Sequence, residues 1–377
     1  MRSILAVVVF LSAAAVTARA ADPVYPSSAG NIAVETVARG LVHPWSLAFL
    51  PDGRMLVTER PGRMRIVTRE GALSPPLTGV PPVFARSQGG LLDVILDRNF
   101  ASNRTIYFSY AEPFDGGGRT ALARATLYTG ATARLTDIQV IYRQHGPASS
   151  GGHFGGRIVQ AGDGNLFLTN GEHFTGRDMA QTLDNHLGKI VRITPNGAAP
   201  KDNPFVGRAG ARPEVWSYGH RNPQGLTLNP ADGKLWEQEH GAMGGDEINI
   251  ILPGRNYGWP LVSHGRNYDG TPVGTGKAQM AGMDDPVWHW TPSIAPSGMT
   301  FYSGDLFKGW KGSLINGALK FQLLSRLTLD GDKVVKEERL LQGLRERIRD
   351  VRQGPDGALY LLTDNSAGRI LRLAPAQ

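Results

Sequence analysis

The 377 residues contain no cysteine, which removes disulfides, thiolate nucleophiles and Cys-ligated zinc or iron–sulfur centres. No apolar run is long enough to span a bilayer. The stretch from Ile4 to Val16 is thirteen residues, where a spanning helix needs about 20. Preceded by Arg2 and followed by Ala18-Arg19-Ala20, it reads as a signal peptide over residues 1–20, cleaved near Ala20. An uncleaved anchor is the competing reading. Cleavage removes Arg2 and Arg19 and no acid, so the net charge falls from +7 to +5. No dense Lys/Arg block is present to track a phosphate backbone, so no nucleic-acid partner is expected. The mature protein is expected to be periplasmic or secreted, with no membrane span.

No Pro/Ser-rich linker or charge run divides the rest, so residues 21–377 are expected to form one domain. Helix-like stretches are few and short. What is abundant is turn chemistry, with 48 Gly and 25 Pro spread throughout. One unit recurs, an apolar strand, a Gly/Asp turn and a second apolar strand ending in polar residues. It runs over Leu47 to Glu59, Arg157 to Asn170, Gly225 to Glu237 and Asp350 to Asp364, with looser copies at Leu91 to Tyr110 and Met299 to Ala318. Asp-Gly supplies the positive φ that a tight hairpin needs. Turns near residues 52, 100, 163, 232, 308 and 356 are too widely spaced for a β-sandwich or β-helix. They suit one four-stranded blade each. The fold expected is all-β, a six-bladed β-propeller of four-stranded antiparallel blades.

In such a fold, function gathers at one end of the channel. Polar residues just after each second strand, Glu59, Glu172, Glu239 and Asp364, and His153 and Arg221 just ahead of a first strand, mark that rim. In Gly151-Gly-His-Phe-Gly-Gly-Arg157 the glycines let backbone approach a bulky planar ligand. Glu172, across the hairpin from His153, is placed to fix the imidazole tautomer and strengthen it as a base. Tyr218-Gly-His-Arg-Asn-Pro-Gln-Gly225 presents a cation and an amide from a rigid corner, suited to anionic oxygens. Glu239-His-Gly-Ala-Met-Gly-Gly-Asp-Glu-Ile-Asn249 mixes loop carbonyls with acids, the donor set calcium prefers. Arg347 and Arg349 alternate along a strand, so their side chains share a face, and they repel unless an anion lies between them. With Lys320 they are placed to bracket a polycarboxylate.

Together these segments, with His43-Pro-Trp-Ser-Leu-Ala-Phe49 and Asn256-Tyr-Gly-Trp-Pro260, resemble the soluble glucose/sorbosone dehydrogenases that depend on pyrroloquinoline quinone (PQQ), especially their aldose sugar dehydrogenase branch. The resemblance spans nearly all of the mature chain. It implies that aldoses are oxidised at C1 to the lactone, with hydride passing to PQQ and electrons to an external acceptor, whether a quinone, a dye or a small redox protein. It gives His153 the role of general base, Glu172 that of its orienting carboxylate, and Arg221 and Asn222 that of contacts to the quinone oxygens. Gln88 falls near the reacting centre, and Ser293 where some relatives carry threonine. Lys320, Arg347 and Arg349 match a clamp for the PQQ carboxylates. The main-chain carbonyls of Gly241 and Ala242 match ligands of a catalytic calcium, which polarises the quinone. Glu247 and the backbone of Tyr257 match those of a structural one. The segment Trp288-His-Trp290 departs from the sugar-contact residues of glucose-specific members, which favours broad aldose specificity. Two other readings compete: a calcium-dependent propeller lactonase or other hydrolase, and a non-catalytic carbohydrate-binding propeller. The three rim cations argue against the first, and the full set of base, quinone-contact and clamp positions against the second.

Overall fold

Six antiparallel sheets follow one another around a central axis in the computed structural model, which describes residues 23–130 and 132–376. The expected signal peptide lies outside these residues. Taking strands from the channel outward, blade one is Pro44–Phe49, Met55–Glu59 and Arg63–Val67. Blade two is Leu91–Leu96, Thr105–Phe114, Gly117–Tyr128 and Arg134–Arg143. Blade three is Gly155–Gln160, Leu166–Asn170, Lys189–Ile193 and Val215–Tyr218. Blade four is Pro223–Leu228, Leu235–Glu239, Asp246–Ile251 and Trp288–Trp290. Blade five is Pro296–Phe301, Leu314–Ala318, Leu324–Asp330 and Lys333–Leu340. Blade six combines both ends of the described chain: Ile348–Gln353, Leu359–Thr363 and Gly368–Pro375, then Ile32–Leu41 and the short Val24–Tyr25. Ile32–Leu41 pairs with Gly368–Pro375 from Ile32↔Pro375 to Leu41↔Gly368, and this clasp closes the ring.

The six-bladed expectation holds. Two blades vary the four-strand pattern: blade one stops at three strands, with an isolated Val67↔Leu73 bridge at its edge, and blade six gains a fifth. All six turns read from the sequence join an innermost strand to its second strand. The turn near 100 holds the four-residue helix Phe100–Asn103, anchored by Asp97, which accepts from Asn99 N at 2.8 Å and Asn103 Nδ2 at 2.8 Å.

The core is divided among six apolar wedges, one per blade–blade interface. Leu56, Met64 and Ile66 meet Leu91, Val94 and Phe108 between blades one and two, and Trp236 and Ile248 meet Met299, Phe301 and Leu314 between blades four and five. Blades two and three, three and four, five and six, and six and one each bury a comparable cluster. Inner strands are therefore covered on both faces. Met55–Glu59, Leu166–Asn170 and Leu235–Glu239 are buried along their whole length, whereas the outer strand Lys333–Leu340 is largely open.

Every innermost strand also shifts register near its first residues, at Pro44/Ser46, Leu91/Val94, Gly155/Ile158, Pro223/Gly225, Pro296/Met299 and Ile348/Asp350. A bulge re-aims side chains at the end of a strand. Here it turns the second residue of the inner strands towards the channel mouth: Trp45, Leu92, Gln224 and Arg349 all line one cavity there.

Candidate active site at the channel mouth

The four rim acids sit at the same corner of blades one, three, four and six, where the second strand ends opposite the start of the innermost strand. Glu59 accepts from Val42 N at 2.6 Å, and Glu239 from Arg221 N and, at 3.2 Å, Asn222 N. Both also meet side chains, Glu59 those of Arg63 at 2.9 Å and Arg65 at 2.8 Å, and Glu239 that of His220 at 3.2 Å. Glu172 meets the imidazole of His153, its Oε1 lying 3.0 Å from Nδ1.

His153 is held in a left-handed conformation, φ 53°, and its N–H donates to Gln88 Oε1 at 2.9 Å. Gly171 faces its carbonyl so closely that a Cβ there would lie 2.0 Å from His153 O. The imidazole stacks on Phe174 with ring centroids 3.5 Å apart. Burial, helped by the nearby Arg221 charge, holds the imidazole well below its usual pKa, so it is neutral. Burial pushes the Glu172 carboxyl up to about 7 against the opposing pull of Arg221. With Glu172 ionised, Nδ1–H must donate to the carboxylate, which leaves the Nε2 lone pair as a proton acceptor.

Arg221 is 4 % exposed. Its Nη1 donates to Gly241 O at 2.6 Å and His240 O at 3.2 Å, its Nη2 reaches Tyr268 Oη at 3.5 Å, and its guanidinium faces Trp259 at 5.2 Å. Arg221 Nε and Glu172 Oε2 are buried without a partner. Leaving such groups unpaired costs about 1–3 kcal/mol each, the signature of a site shaped for a polar ligand. Asn222 Oδ1 accepts from Gly155 N and Gln224 Nε2, both at 3.2 Å.

Beside the His153 backbone, which Gln88 holds, lies a cavity of about 140 Å³ whose polar lining is Gln88, Asn222, Gln224, His240, Arg347 and Arg349, closed by Trp45, Leu92, Phe154 and Leu319. Three amides and two guanidiniums around apolar walls fit a planar, anionic, oxygen-rich molecule. Arg349 Nη1 donates to Gln224 Oε1 at 3.2 Å and Arg347 Nη1 to Leu319 O at 3.2 Å. The anion between the arginines is Asp364: its Oδ2 lies 3.2 Å from Arg349 Nη2 and 3.4 Å from Arg347 Nη2. Under the cavity, Arg157 donates to Gln224 O at 2.7 Å and Arg349 O at 3.2 Å and pairs with Asp350 at 2.9 Å, bracing the floor.

Three residues expected to contact the cofactor stand apart from this lining. Arg221 borders a neighbouring small void instead. Lys320 is exposed, its ammonium 5.8 Å from the Phe321 ring centroid. Ser293 Oγ donates to Asp246 Oδ2 at 2.7 Å, and burial raises Asp246 to about 6. Trp288–Trp290 is the outermost strand of blade four, and Trp290 packs in the wedge between blades four and five, so it is no part of the channel mouth. Trp45, Phe174, Gln224 and Tyr268 were missed as site residues. Trp45 and Gln224 carry a signal in hindsight, since each is the second residue of an innermost strand.

The metal positions form two groups. The Gly241 carbonyl accepts one hydrogen bond from the Arg221 guanidinium, which leaves its second lone pair for a further partner, and the main chain of the neighbouring Ala242 adds another carbonyl oxygen. Around Glu247 the chemistry also fits. Glu239 pairs in register with Glu247, and His220, Glu237 and Glu239 bring one ligand atom each within 4.8 Å of one another. Burial and the charge of Glu239 push Glu237 and Glu247 well above the usual carboxylate range. Glu239, Glu247, Gly241 and Tyr257 border a void of about 10 Å³, the size of a single ion or water. Hard oxygens crowded in this way are the donor set of calcium.

A propeller with an imidazole–carboxylate pair beside an amide- and arginine-lined cavity belongs to the class of channel-mouth enzymes. The chain is a member of the glucose/sorbosone dehydrogenase family, whose model matches residues 41–372. It is 47 % identical over 348 residues to the aldose sugar dehydrogenase YliI of Escherichia coli K12, covering 92 % of this chain and 93 % of that protein. Among solved structures, a glucose dehydrogenase superposes with TM-score 0.88 at 51 % identity, over 91 % of this chain and 99 % of that one. The PQQ-bound form of an aldose sugar dehydrogenase from Streptomyces coelicolor superposes with TM-score 0.76 at 30 % identity, over 91 % and 98 %.

Proposed function

We propose that this protein oxidises aldose sugars at C1 to lactones, using bound PQQ. The observation that carries the reading is the juxtaposition of the His153–Glu172 pair, 3.0 Å apart, with a cavity lined by Arg347, Arg349 and three amides. PQQ, when bound, supplies the hydride acceptor that no side chain provides and passes the electrons to an external quinone, dye or small redox protein.

His153 Nε2 takes the proton of the C1 hydroxyl, and Glu172 keeps the acceptor nitrogen turned outward and stabilises the imidazolium that forms. Arg221 adds positive charge beside the reacting oxygens. Asn222 and Gln88 orient, Arg347 and Arg349 take cofactor carboxylates, the exposed Lys320 adds positive charge at the rim, and the buried Ser293 acts through Asp246. Calcium is assigned to the carboxylate cluster at Glu247 and Tyr257. The main-chain carbonyls of Gly241 and Ala242 would hold a second calcium beside the cofactor. The first twenty residues support export, so the protein acts in the periplasm or outside the cell.

The test is reconstitution of purified apoprotein, with dye reduction followed on an aldose panel. Sugar-dependent turnover is expected only with both PQQ and calcium present. Absence of PQQ binding in calcium-replete buffer overturns the assignment.

A further inference from the structure

We propose that Asp364 competes with the ligand carboxylate for the positive charge of Arg347 and Arg349, pairing with them from outside the cavity that they line, and so sets the affinity of the cavity for its anionic occupant. This rests on the proposed PQQ reading for the identity of the ligand, though not for the pairing itself.

Asp364 differs from the other rim acids. Glu59 and Glu239 accept from backbone N–H groups, so their removal would loosen the chain itself. The side-chain partners of Asp364 are Arg347 Nη2 at 3.4 Å, Arg349 Nη2 at 3.2 Å and His43 Nδ1 at 2.8 Å. Two of these belong to residues that line the cavity. The carboxylate is ionised, since the two arginines and His43 outweigh its burial and hold it far below the usual range.

Two guanidiniums carry ten N–H donors between them. Asp364, Gln224 and Leu319 take only part of that number, so the remaining donors suit an arriving carboxylate. That carboxylate meets a pair whose charge is already half neutralised. Asp364 thus does for the empty cavity what the ligand does for the filled one: it stops two adjacent cations from repelling each other. His43, in the link from blade six to blade one, gives its Oδ1 a second hold that survives when Oδ2 yields the arginines.

The consequence has a sign opposite to that of a scaffold residue. Asp364→Asn keeps the shape, removes the competing charge and is expected to bind the anion about tenfold tighter or more. Binding is measured by calorimetry on the full mature chain with calcium present, using PQQ and, separately, benzene-1,2,4-tricarboxylate. A thermal melt checks folding, and Asp364→Ser serves if the Asn variant does not melt cooperatively. Tighter binding of PQQ by the variant supports the proposal, and unchanged or weaker binding beside intact wild-type binding overturns it. If wild type binds no PQQ, the functional reading fails, and the arginine pair is judged on the tricarboxylate alone. Tighter binding there by the variant still supports the competitor role, whereas equal, weaker or absent binding ends it.

Discussion

At the scale of single residues, the proposed chemistry turns on which atom of His153 holds a proton. The imidazole is kept neutral by burial, while Glu172 ionises only as pH passes about 7. Below that, a protonated carboxyl donates to Nδ1 and Nε2 carries the hydrogen, which is the wrong tautomer for a base. Accordingly kcat/KM is expected to rise with pH through about 7. In Glu172→Gln that rise should flatten and the plateau fall by about 10- to 100-fold. A pH–rate profile that keeps its inflection in the variant would assign the titration to another group. His153→Ala is expected to lose about 10²- to 10⁴-fold in kcat while still quenching with PQQ in a fluorescence titration. Equal turnover would remove His153 as the base. The same carboxyl bears on stability. Its folded pKa is raised, so its contribution is fully present below the ordinary carboxyl pKa of about 4.3 and is lost as pH climbs through about 7.

At the scale of elements, the hairpin joining the two inner strands of a blade is both the structural repeat and the bearer of the site. Its turns were legible because Asp-Gly and Pro-Asp-Gly demand a particular backbone. The rim acids were legible because each ends a strongly apolar strand. Trp45 and Gln224 were not, because the register shift at Pro44/Ser46 and Pro223/Gly225 breaks the period-two alternation that assigns faces from sequence. Phe174 and Tyr268 sit on loops, where no period exists at all. The tight seat of His153 against the neighbouring strand yields a test. Gly171→Ala would force a Cβ to within 2.0 Å of the His153 carbonyl, so backbone must move. Stability is expected to fall by about 1–3 kcal/mol, and kcat by about tenfold or more as the base shifts. PQQ affinity should change less than kcat. A variant with wild-type kcat would show that the base position tolerates the shift.

For the whole molecule, stability is spread over six apolar wedges and one clasp. Deleting residues 23–41 strips the pairing partner from Gly368–Pro375 and part of two wedges, those between blades five and six and between six and one. The melting temperature is expected to drop by about 10 °C or more, and an unchanged melt would show that the ring closes without its clasp. Blade six is also where Arg347, Arg349 and Asp364 reside, on or beside strands Ile348–Gln353 and Leu359–Thr363. Those strands follow the other five blades along the chain, whereas an outer strand of the same blade, Ile32–Leu41, precedes them all. A nascent chain that has not yet reached blade six therefore has no arginine pair to offer an anionic ligand. A ligand held by Arg347 and Arg349 is loaded only once the two halves of blade six have met.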